Sequence, residues 1–571
     1  MSGKDSQADA KDRQPNEKRQ RISIFEREVS RRDLLKGTAV AGLAASLGGI
    51  LAACGGGDEG EATPAAPPPA AGTTAPGAAT TAAATPAAEQ PKPGGRLRIA
   101  VIGGGTAESF DPGLVGLSAD AGYARSVGVF DRLVEIRPDL SGYDLSLADS
   151  FESNAEATEW TIRLKSDITF HDGKPLTADD VIYTIKRAAG DPANGANIFT
   201  QPFDVKGITK PDDLTIRLPL TRPIAGLEQF FFTALGMSIV QDGATDFSKP
   251  VGTGAFMFDS FKVGQSSLMT KNPNYWQTGK PLLDELEINS VMDANARLNA
   301  LRSGDVDAIS FVPFPSAKEL QNGGDIDLLI SDAPSHVYFT MAVDLKPFDN
   351  NDVRQAMRLI ADRQALVDTV NVGFGTLGND IRFPGAKFYD DQIPQREQDI
   401  EQAKSLLKKA GMEGLKVTLF ASDWGPGMLN SATVFAEQAK AAGVQITIDN
   451  SSGDTYLADK YLKVAFGQSF ATPFPIPVMY SLQLVTGGIW NETHWNRPDY
   501  DKLVFAAQAE LDEAKAADLW FEAQKIVWDE GGDLIWGTTP FVDGLAKNVR
   551  GATPNRFAAL SGFDYRNYWL A

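Results

Sequence analysis

Cysteine and histidine are nearly absent from this chain, whose 571 residues include one cysteine and three histidines. The single cysteine, Cys54, excludes intrachain disulfides and argues against a metal site built on thiolates. No two of the histidines, His171, His336 and His494, have the spacing of a metal-binding pair. The chain also lacks the G-x-S-x-G, H-E-x-x-H and phosphate-loop motifs. We therefore expect no bound metal, no cofactor and no enzymatic activity.

An excess of basic residues is also lacking. The chain has 74 acidic and 54 basic residues, with a formal net charge of −20 and a pI of 4.7. Such a charge repels nucleic acid and anionic lipid surfaces, and it favours solubility. The length exceeds what one hydrophobic core usually supports, so we expect at least two lobes. Nucleic acid is excluded as a partner.

The first 54 residues have the pattern of an export signal. Arg31 and Arg32 precede an uncharged segment, 37–53, which is short and glycine-rich for a membrane-spanning helix. The arginine pair matches the twin-arginine pattern. The stretch "LAAC" resembles a bacterial lipobox, in which Cys54 becomes the lipid-bearing N-terminus. We predict that 1–54 is a twin-arginine lipoprotein signal; an uncleaved membrane anchor is the alternative.

Residues 55–93 consist almost entirely of Ala, Pro, Thr and Gly. Such a segment cannot bury enough apolar surface to offset the entropy of ordering it. We predict a disordered tether that holds a globular body near the outer face of the cell membrane, or in the periplasm.

The remaining sequence alternates between strand-like and helix-like segments in two regions, separated by the stretch around 335–348. This alternation is typical of an α/β fold and predicts a mostly parallel sheet in each region. The turn Gly103–Gly105 looks like part of a dinucleotide-binding loop, but Glu108 occupies the third glycine position and "FDPG" breaks the helix that should follow. We therefore reject a dinucleotide site.

Several stretches of the body resemble the extracytoplasmic solute-binding proteins of ABC importers, in the dipeptide/oligopeptide-binding group (family 5). They occur in that family's order and cover nearly the whole of 94–571: "GGRLRIA", "FDPGLVG", "VFDRLVEI", "LADSFE", "WTIRLKSDITFHDGKPLTADDVIYTIKRA", "PVGTGAF" with "KNPNYW", "ARLNALRSGDVDAI", "FDNNDVRQAMRLIADRQALV", "DIEQAKSLLKKAGM" and "YDKLVFAAQAELDEAKAADLWFEAQKIVWDE".

The resemblance implies a two-lobed clamp of the periplasmic-binding-protein type II, in its large form. Lobe I would comprise 94–335 plus 540–571, with an inserted β-rich subdomain at about 131–245. Lobe II would comprise 340–535. Two chain crossovers between the lobes would form the hinge, and a ligand in the cleft would favour the closed state. The partners would be a membrane permease and its ATPase subunits, and the protein would act as a monomer held to the membrane only by its lipid.

The family places its ligand after the "DPG" turn, near the hinge and in loops of lobe II. At those places this sequence has the aromatic residues Tyr123, Tyr338, Trp424, Phe470, Trp490 and Trp495. Large aromatic side chains supply rigid contact area in a cleft, although each could instead anchor its own loop. Among charged residues, Asp423 is a candidate for a ligand amine and Arg382 for a ligand carboxylate.

The ligand class stays open at this stage. Peptide-binding members hold the free amine with an acid in a lobe II loop, yet the matching stretch, 467–484, contains no acidic residue. A peptide, or a less charged, more aromatic or sugar-like solute, fits the residues. Two further alternatives are a hydrolase on the same scaffold and a ligand-sensing lipoprotein without a transporter.

Overall fold

A computed structural model describes residues 89–114, 119–231, 237–422, 425 and 427–571. The predicted export signal with Arg31, Arg32 and Cys54, most of the predicted tether, and the candidates Asp423 and Trp424 lie outside the described residues. Within those ranges, we find no helix with the length and hydropathy needed to span a bilayer.

Lobe I is built on a seven-stranded sheet. In spatial order its strands are Ile326–Ser331 (β12), Phe541–Ala546 (β18), Ala308–Ile309 (β11), Arg96–Val101 (β1), Glu285–Ser290 (β10), Ser266–Lys271 (β9) and Phe256–Lys262 (β8). Leu97, Ile99 and Val101 lie on one face of the central strand β1 and are fully buried, and Ala100 on the opposite face is fully buried as well. This burial is typical of a central strand whose two faces are both covered.

Lobe II is built on a separate five-stranded sheet, with the strands Gln445–Ser451 (β15), Lys416–Ser422 (β14), Phe466–Ala471 (β16), His336–Met341 (β13) and Asp533–Ile535 (β17). Its apolar core draws its fully buried members from residues 337–536 alone. The larger apolar cluster of the lobe I sheet contains no residue of that range, and the smaller cluster on its other face includes one, Phe374. Two sheets with two cores confirm the α/β fold with two lobes.

A third, smaller unit lies within lobe I and is rich in strands, as expected. Its four-stranded sheet consists of Ala148–Ser153 (β4), Glu159–Leu164 (β5), Thr215–Pro219 (β7) and Thr209–Asp212 (β6). A hairpin of Val134–Ile136 (β2) and Tyr143–Leu145 (β3) packs beside it. We call the four-stranded sheet with this hairpin the inserted subdomain.

The last strand pair of the chain is separate from it and consists of Val549–Arg550 (β19) and Trp569–Leu570 (β20).

Helices cover the sheets. In chain order they are Ala119–Val129 (α1), Ala178–Gly190 (α2), Ala294–Ser303 (α3), Phe314–Leu320 (α4), Asn351–Ile360 (α5), Arg363–Val370 (α6), Ile400–Lys409 (α7), Met428–Ala439 (α8), Gly453–Asp459 (α9), Ile476–Gln483 (α10), Pro498–Ala509 (α11), Glu513–Glu530 (α12) and a short turn Ala559–Gly562 (α13). Short 3₁₀ turns occur at Asn197–Thr200, Leu227–Phe230 and Lys440–Ala442.

Helix starts follow the capping residues in the sequence. Asp399 caps α7 by accepting a hydrogen bond from the backbone nitrogen of Gln402 at 2.8 Å, as the sequence predicts. Thr177 stands at the N-cap of α2, and its backbone nitrogen donates to the carboxylate of Asp180 at 2.8 Å. These local signals fix where each helix begins before any tertiary packing.

The expectation of mostly parallel sheets is wrong, because both sheets are mixed. In lobe I only β1 forms parallel pairs, with β10 and β11. In lobe II only β14 does so, with β15 and β16. The remaining strands either carry the chain between the lobes, as β13, β17 and β18 do, or belong to hairpins such as β8–β9, whose short turn permits only antiparallel pairing.

The glycine turn after β1 is held by Glu108, the residue whose position in the sequence is incompatible with a dinucleotide-binding motif. The Glu108 carboxylate accepts a hydrogen bond from the Gly104 nitrogen at 2.6 Å and pairs with Arg125 at 3.0 Å, and its side chain is fully buried. A Cβ at Gly103 would lie 2.7 Å from that carboxylate. The space that a pyrophosphate would need is therefore filled by the protein itself.

Candidate ligand-binding cleft

The two lobes are joined at two neighbouring chain crossings. The chain leaves β12 for β13 through 332–335, and it returns from β17 to β18 through 536–540. The Thr539 nitrogen donates to the Ser335 carbonyl at 2.6 Å, which ties the two crossings together. Lobe II braces the second crossing, because the Asn371 side-chain amide donates to the Thr538 carbonyl at 2.9 Å. A pair of thin, adjacent connections is the structure expected of a hinge.

Tyr338 lies on β13, directly after the first crossing, and is completely buried. Its hydroxyl donates to the carboxylate of Glu492, and the guanidinium of Arg382 lies 4.3 Å from its ring centroid. The structure therefore brings together two of the predicted site residues, Tyr338 and Arg382, with an acid that the sequence analysis missed.

Glu492 gathers three hydroxyl donors in the interior of lobe II. Besides Tyr338, the hydroxyls of Tyr461 and Ser469 each donate to it at 2.7 Å. Burial raises its pKa, although Arg382 and the three hydroxyls act in the opposite direction. The sequence carried a signal for this residue, since Glu492 lies between Trp490 and Trp495, whereas the sequence analysis considered 467–484 and Asp423 for the acid.

The Arg382 guanidinium uses only part of its hydrogen-bonding capacity. Its Nη2 pairs with Asp533 at 2.6 Å, while its Nε and Nη1 are buried and have no partner within the described residues. The second carboxylate oxygen of Asp533, Oδ1, is also buried and has no hydrogen-bond partner within the described residues. A guanidinium with two free donors fits a carboxylate or another planar acceptor.

His336 is the first residue of β13 and is fully buried. Its ring lies 5.2 Å from the rings of Tyr338 and Phe383, and its Nδ1 faces the Pro334 carbonyl at 3.0 Å. Burial, with the nearby charge of Arg382, lowers its pKa to about 3. The ring is therefore neutral at pH 7 and acts as a packing surface beside Tyr338.

Trp490 is partly buried and packs against the apolar cluster that contains Tyr338. Its ring contacts Phe474 edge-on, with centroids 6.3 Å apart. Phe474 in turn stacks on Phe199 of the inserted subdomain at 6.1 Å. Trp490 thus lies where lobe II meets the inserted subdomain.

Tyr123 represents lobe I among the predicted site residues. It lies on α1, is partly buried and stacks on Phe563 with centroids 6.3 Å apart. The nearby Asp120 accepts a hydrogen bond from the Ser310 hydroxyl at 3.1 Å, and burial raises the pKa of Asp120 to about 6. Lobe I therefore presents an aromatic ring beside a carboxylate.

Two predicted site residues lie in packing positions within lobe II. Trp495 is 2% exposed and packs edge-on against Tyr500, with centroids 5.5 Å apart. Phe470 lies on β16 and packs against the core of lobe II. These positions favour the alternative that both side chains anchor their own segments, which sequence position alone could not distinguish from ligand contact.

None of the histidines has the contacts of a catalytic residue. In the described ranges, their hydrogen bonds go to backbone groups and, for His494, to Asp344 at 2.6 Å; no serine, threonine or cysteine side chain is a partner. The same residues contain no group of His, Cys, Asp and Glu side chains arranged to hold a metal ion.

Comparisons with known proteins agree with this architecture. Residues 143–492 match the model of the bacterial extracellular solute-binding proteins, family 5 middle region. Residues 28–48 match the model of the twin-arginine translocation pathway signal sequence, which confirms the signal predicted around Arg31 and Arg32.

Individual proteins extend the match to most of the chain. Heme-binding protein A of Haemophilus influenzae is 26% identical over 477 residues, covering 74% of this chain and 83% of that protein. A dipeptide-binding protein of Pseudomonas aeruginosa is 26% identical over 506 residues, covering 81% and 93%. The solved structure of AgaA from A. tumefaciens, in complex with agropinic acid, superposes with a TM-score of 0.69 at 24% identity, covering 84% of this chain and 99% of that one.

Proposed function

The chain belongs to family 5 of the bacterial extracellular solute-binding proteins, and from this premise we propose that it captures a small organic solute between its two lobes and delivers it to an ABC permease. The observation that carries the proposal is the placement of Tyr338, Arg382 and Glu492 directly beside the paired crossings. A solute that contacts this group and lobe I at once would bias the hinge toward closure.

The proposed ligand is a peptide or another polar organic molecule. The related proteins are named for heme and for dipeptides, and the superposed structure holds agropinic acid, so the scaffold accepts varied chemistry. We propose that Arg382 meets an acidic or carbonyl group of the ligand through its free Nε and Nη1. Tyr123, Trp490 and Trp424 would supply aromatic contact, and Asp423 would meet an amine.

Trp495 and Phe470 remain in the proposed site only as supports. Trp495 stabilises the loop that carries Trp490, and Phe470 stabilises the strand β16, so a change at either residue would act on the ligand through those segments. A direct contact with the ligand is a weaker proposal for these two than for Trp490.

The twin-arginine signal and the family indicate an extracytoplasmic location. We propose further that Cys54 is lipidated, that residues 55–93 act as a tether, and that the body works as a monomer beside its permease and ATPase subunits. The lobe boundaries given above, 94–335 with 540–571 and 340–535, belong to the same proposal. No enzymatic step is proposed, because the related proteins are named as binding proteins.

A thermal-shift and calorimetric screen tests the function. The purified protein is mixed with dipeptides, glutathione, heme, opines, sugars and polyamines, and each mixture is checked for turnover by mass spectrometry. A true ligand at a hundredfold excess over its Kd stabilises the folded state by about 2.7 kcal/mol, so its melting temperature rises. Stabilisation by one class without turnover supports the proposal. No stabilisation by any class, or turnover of a bound compound, contradicts it.

A further inference from the structure

Lobe II contacts the inserted subdomain at a surface that lies outside the two chain crossings. The Ala225 nitrogen donates to the Gln508 carbonyl at 2.7 Å, and the Arg222 guanidinium donates to the Gln508 side chain at 2.5 Å. The Gln508 side-chain amide in turn donates to the Pro477 carbonyl. These bonds join residues 222–225, which follow β7 of the inserted subdomain, to helices α10 and α11 of lobe II. We call this surface the subdomain clasp.

Apolar side chains complete the subdomain clasp. Val478 of α10 is fully buried, and it packs in the apolar cluster of the inserted subdomain although it belongs to lobe II. Phe474 of lobe II stacks on Phe199 of the inserted subdomain, with ring centroids 6.1 Å apart. Burial of these side chains favours the contact. Phe474 also contacts Trp490, so the clasp adjoins a residue that is proposed to bind the solute.

The inserted subdomain is also bound to lobe I, so we treat the two as one body. The His171 nitrogen donates to the Gly252 carbonyl at 2.8 Å, and the Arg187 guanidinium pairs with Asp111 at 2.5 Å. Tyr183 of α2 packs against the larger apolar cluster of lobe I. The two sides of the clasp therefore belong to different bodies, and rotation of lobe II about the crossings would change the distance between them.

The composition of the subdomain clasp is that of a contact that can separate. A cavity of about 170 Å³ lies within it, and Phe474, Pro477 and Gln508 are among the residues of its wall. A contact that encloses a cavity is less tightly packed than a protein interior. Arg222 lies 5.0 Å from the ring centroid of Phe505, no carboxylate of the described residues pairs with it, and burial lowers its pKa to about 10. Its charge regains hydration when the surfaces part, which offsets part of the apolar gain.

We propose that the subdomain clasp opens and re-forms as the lobes rotate, so that its contacts contribute to the affinity for solute although they lie outside the group around Tyr338 and Arg382. The inference rests on the proposed function, because it takes the crossings to be a hinge. The clasp and a solute held by both lobes favour the same arrangement, and the clasp raises the fraction of molecules in that arrangement before the solute arrives. Val478 and Gln508 are thus residues that act on binding through the equilibrium between arrangements.

Thiol accessibility tests the opening of the clasp in the full-length protein. Because Cys54 is the only cysteine, Cys54→Ser gives a background in which Val478→Cys carries the single thiol. Ile476→Cys is the matched control, since both side chains are fully buried on α10 but Ile476 packs within lobe II. Iodoacetamide is added to each native protein, and mass spectrometry follows the rate of modification. We expect Val478→Cys to react about tenfold faster than Ile476→Cys, a difference of about 1.4 kcal/mol in the free energy of exposure.

Hydrogen exchange of the unmodified protein tests the same opening without any variant. The Ala225 amide is bonded across the clasp to Gln508, whereas the amide of its neighbour Ile224 is bonded to Ala157 inside the inserted subdomain at 2.9 Å. Relative to their intrinsic rates, we expect Ala225 to exchange about tenfold faster than Ile224, because only the first bond breaks when the clasp opens. Mass spectrometry with electron-transfer fragmentation separates the two positions.

Equal protection of the two thiols, or equal protection of the two amides, overturns the proposal, because the surface would then be permanent. The compound that raises the melting temperature most in the screen described above should slow the modification of Val478→Cys, and an unchanged rate overturns the link between clasp and binding. If the clasp opens but no class of solute stabilises the protein, the proposed function fails and the clasp remains. If a solute binds and both pairs are equally protected, the clasp alone is refuted.

Discussion

The guanidinium of Arg382 lies 4.3 Å above the ring of Tyr338, and Tyr338 is the third residue of the strand that enters lobe II from lobe I. The charged group with two free donors therefore packs directly on the first strand after the hinge. A ligand group that pulls on Arg382 acts on the same strand about which the lobes would rotate. In the proposed function, recognition of the ligand and closure of the lobes would therefore involve neighbouring residues.

Replacing Arg382 tests its proposed contact with the ligand. In Arg382→Lys the charge remains, but the planar stacking on Tyr338 and the forked donors are lost. We expect the affinity for the solute found by the screen to fall by about ten- to a hundredfold, which corresponds to loss of one or two charge-assisted hydrogen bonds. Titration calorimetry measures this, with the exposed Arg302→Lys as the matched control. An unchanged Kd would assign Arg382 a purely structural role.

Replacing Glu492 tests the buried acceptor beneath Tyr338. Glu492→Gln keeps the shape but turns one accepting oxygen into a donating amide, so one of the three hydroxyls loses its acceptor. We expect the free energy of unfolding to fall by about 1–3 kcal/mol, the usual cost of an unsatisfied buried polar group. Urea denaturation measures the change, and Glu319→Gln, at an exposed position of lobe I, is the control. Equal stability of the two variants would contradict the described network.

The contact between lobe II and the second crossing can be probed with glycines. Gly375 has a φ of +92°, and a Cβ there would lie 2.1 Å from the Thr538 carbonyl. Gly411 has a φ of +69° but no atom within 4 Å of the same added carbon. Both Gly→Ala variants incur left-handed strain of about 1 kcal/mol, but only Gly375→Ala collides with the crossing.

We therefore expect Gly375→Ala to lower the melting temperature clearly more than Gly411→Ala does. Differential scanning calorimetry of the two variants measures the difference. Similar melting temperatures would mean that the 371–378 segment does not brace the crossing.

Asp543 gives stability a defined dependence on pH. It is completely buried on β18, where it accepts backbone hydrogen bonds from Phe311 and Leu560, and burial raises its pKa to about 7. A carboxyl group whose pKa is higher in the folded than in the unfolded state binds more protons when folded, so its contribution is greatest near pH 4 and is lost as the pH rises toward 7. Asp543→Asn has no such titration.

We expect the stability deficit of Asp543→Asn, relative to the unmodified protein, to be largest near pH 4.5 and to shrink by pH 8. Denaturation with urea at several pH values measures it, with the exposed Asp259→Asn on β8 as the control. A deficit that grows with pH would show that Asp543 is stabilised as the anion.

Local signals made much of the fold predictable. Asp399 and Thr177 mark helix starts, and the alternation of Glu159–Leu164 marks a strand that the structure places at the same residues. Strand direction was not predictable, because β13 and β18 are oriented by long-range passage between the lobes, which leaves no trace in local periodicity.

The candidate site was predictable only in part. Tyr338 and Arg382 were identified, but their meeting with Glu492 depends on packing between segments far apart in sequence. Trp495 and Trp490 lie in the same loop and have the same side chain, yet Trp495 is buried in an apolar cluster among the helices of lobe II, whereas Trp490 reaches Phe474 next to the inserted subdomain. The different surroundings of these two tryptophans follow from the fold and are not visible in the local sequence.

The distance between the lobes, with and without solute, tests the central claim most directly. Outside Cys54 the chain has no cysteine, so Cys54→Ser with Val263→Cys in lobe I and Ile489→Cys in lobe II, both well exposed, accepts one label per lobe. Pulsed electron-spin resonance then measures the distance between the labels. We expect the solute found by the screen to shorten this distance and to narrow its distribution. Binding of that solute with an unchanged distance would contradict closure of two lobes around a ligand.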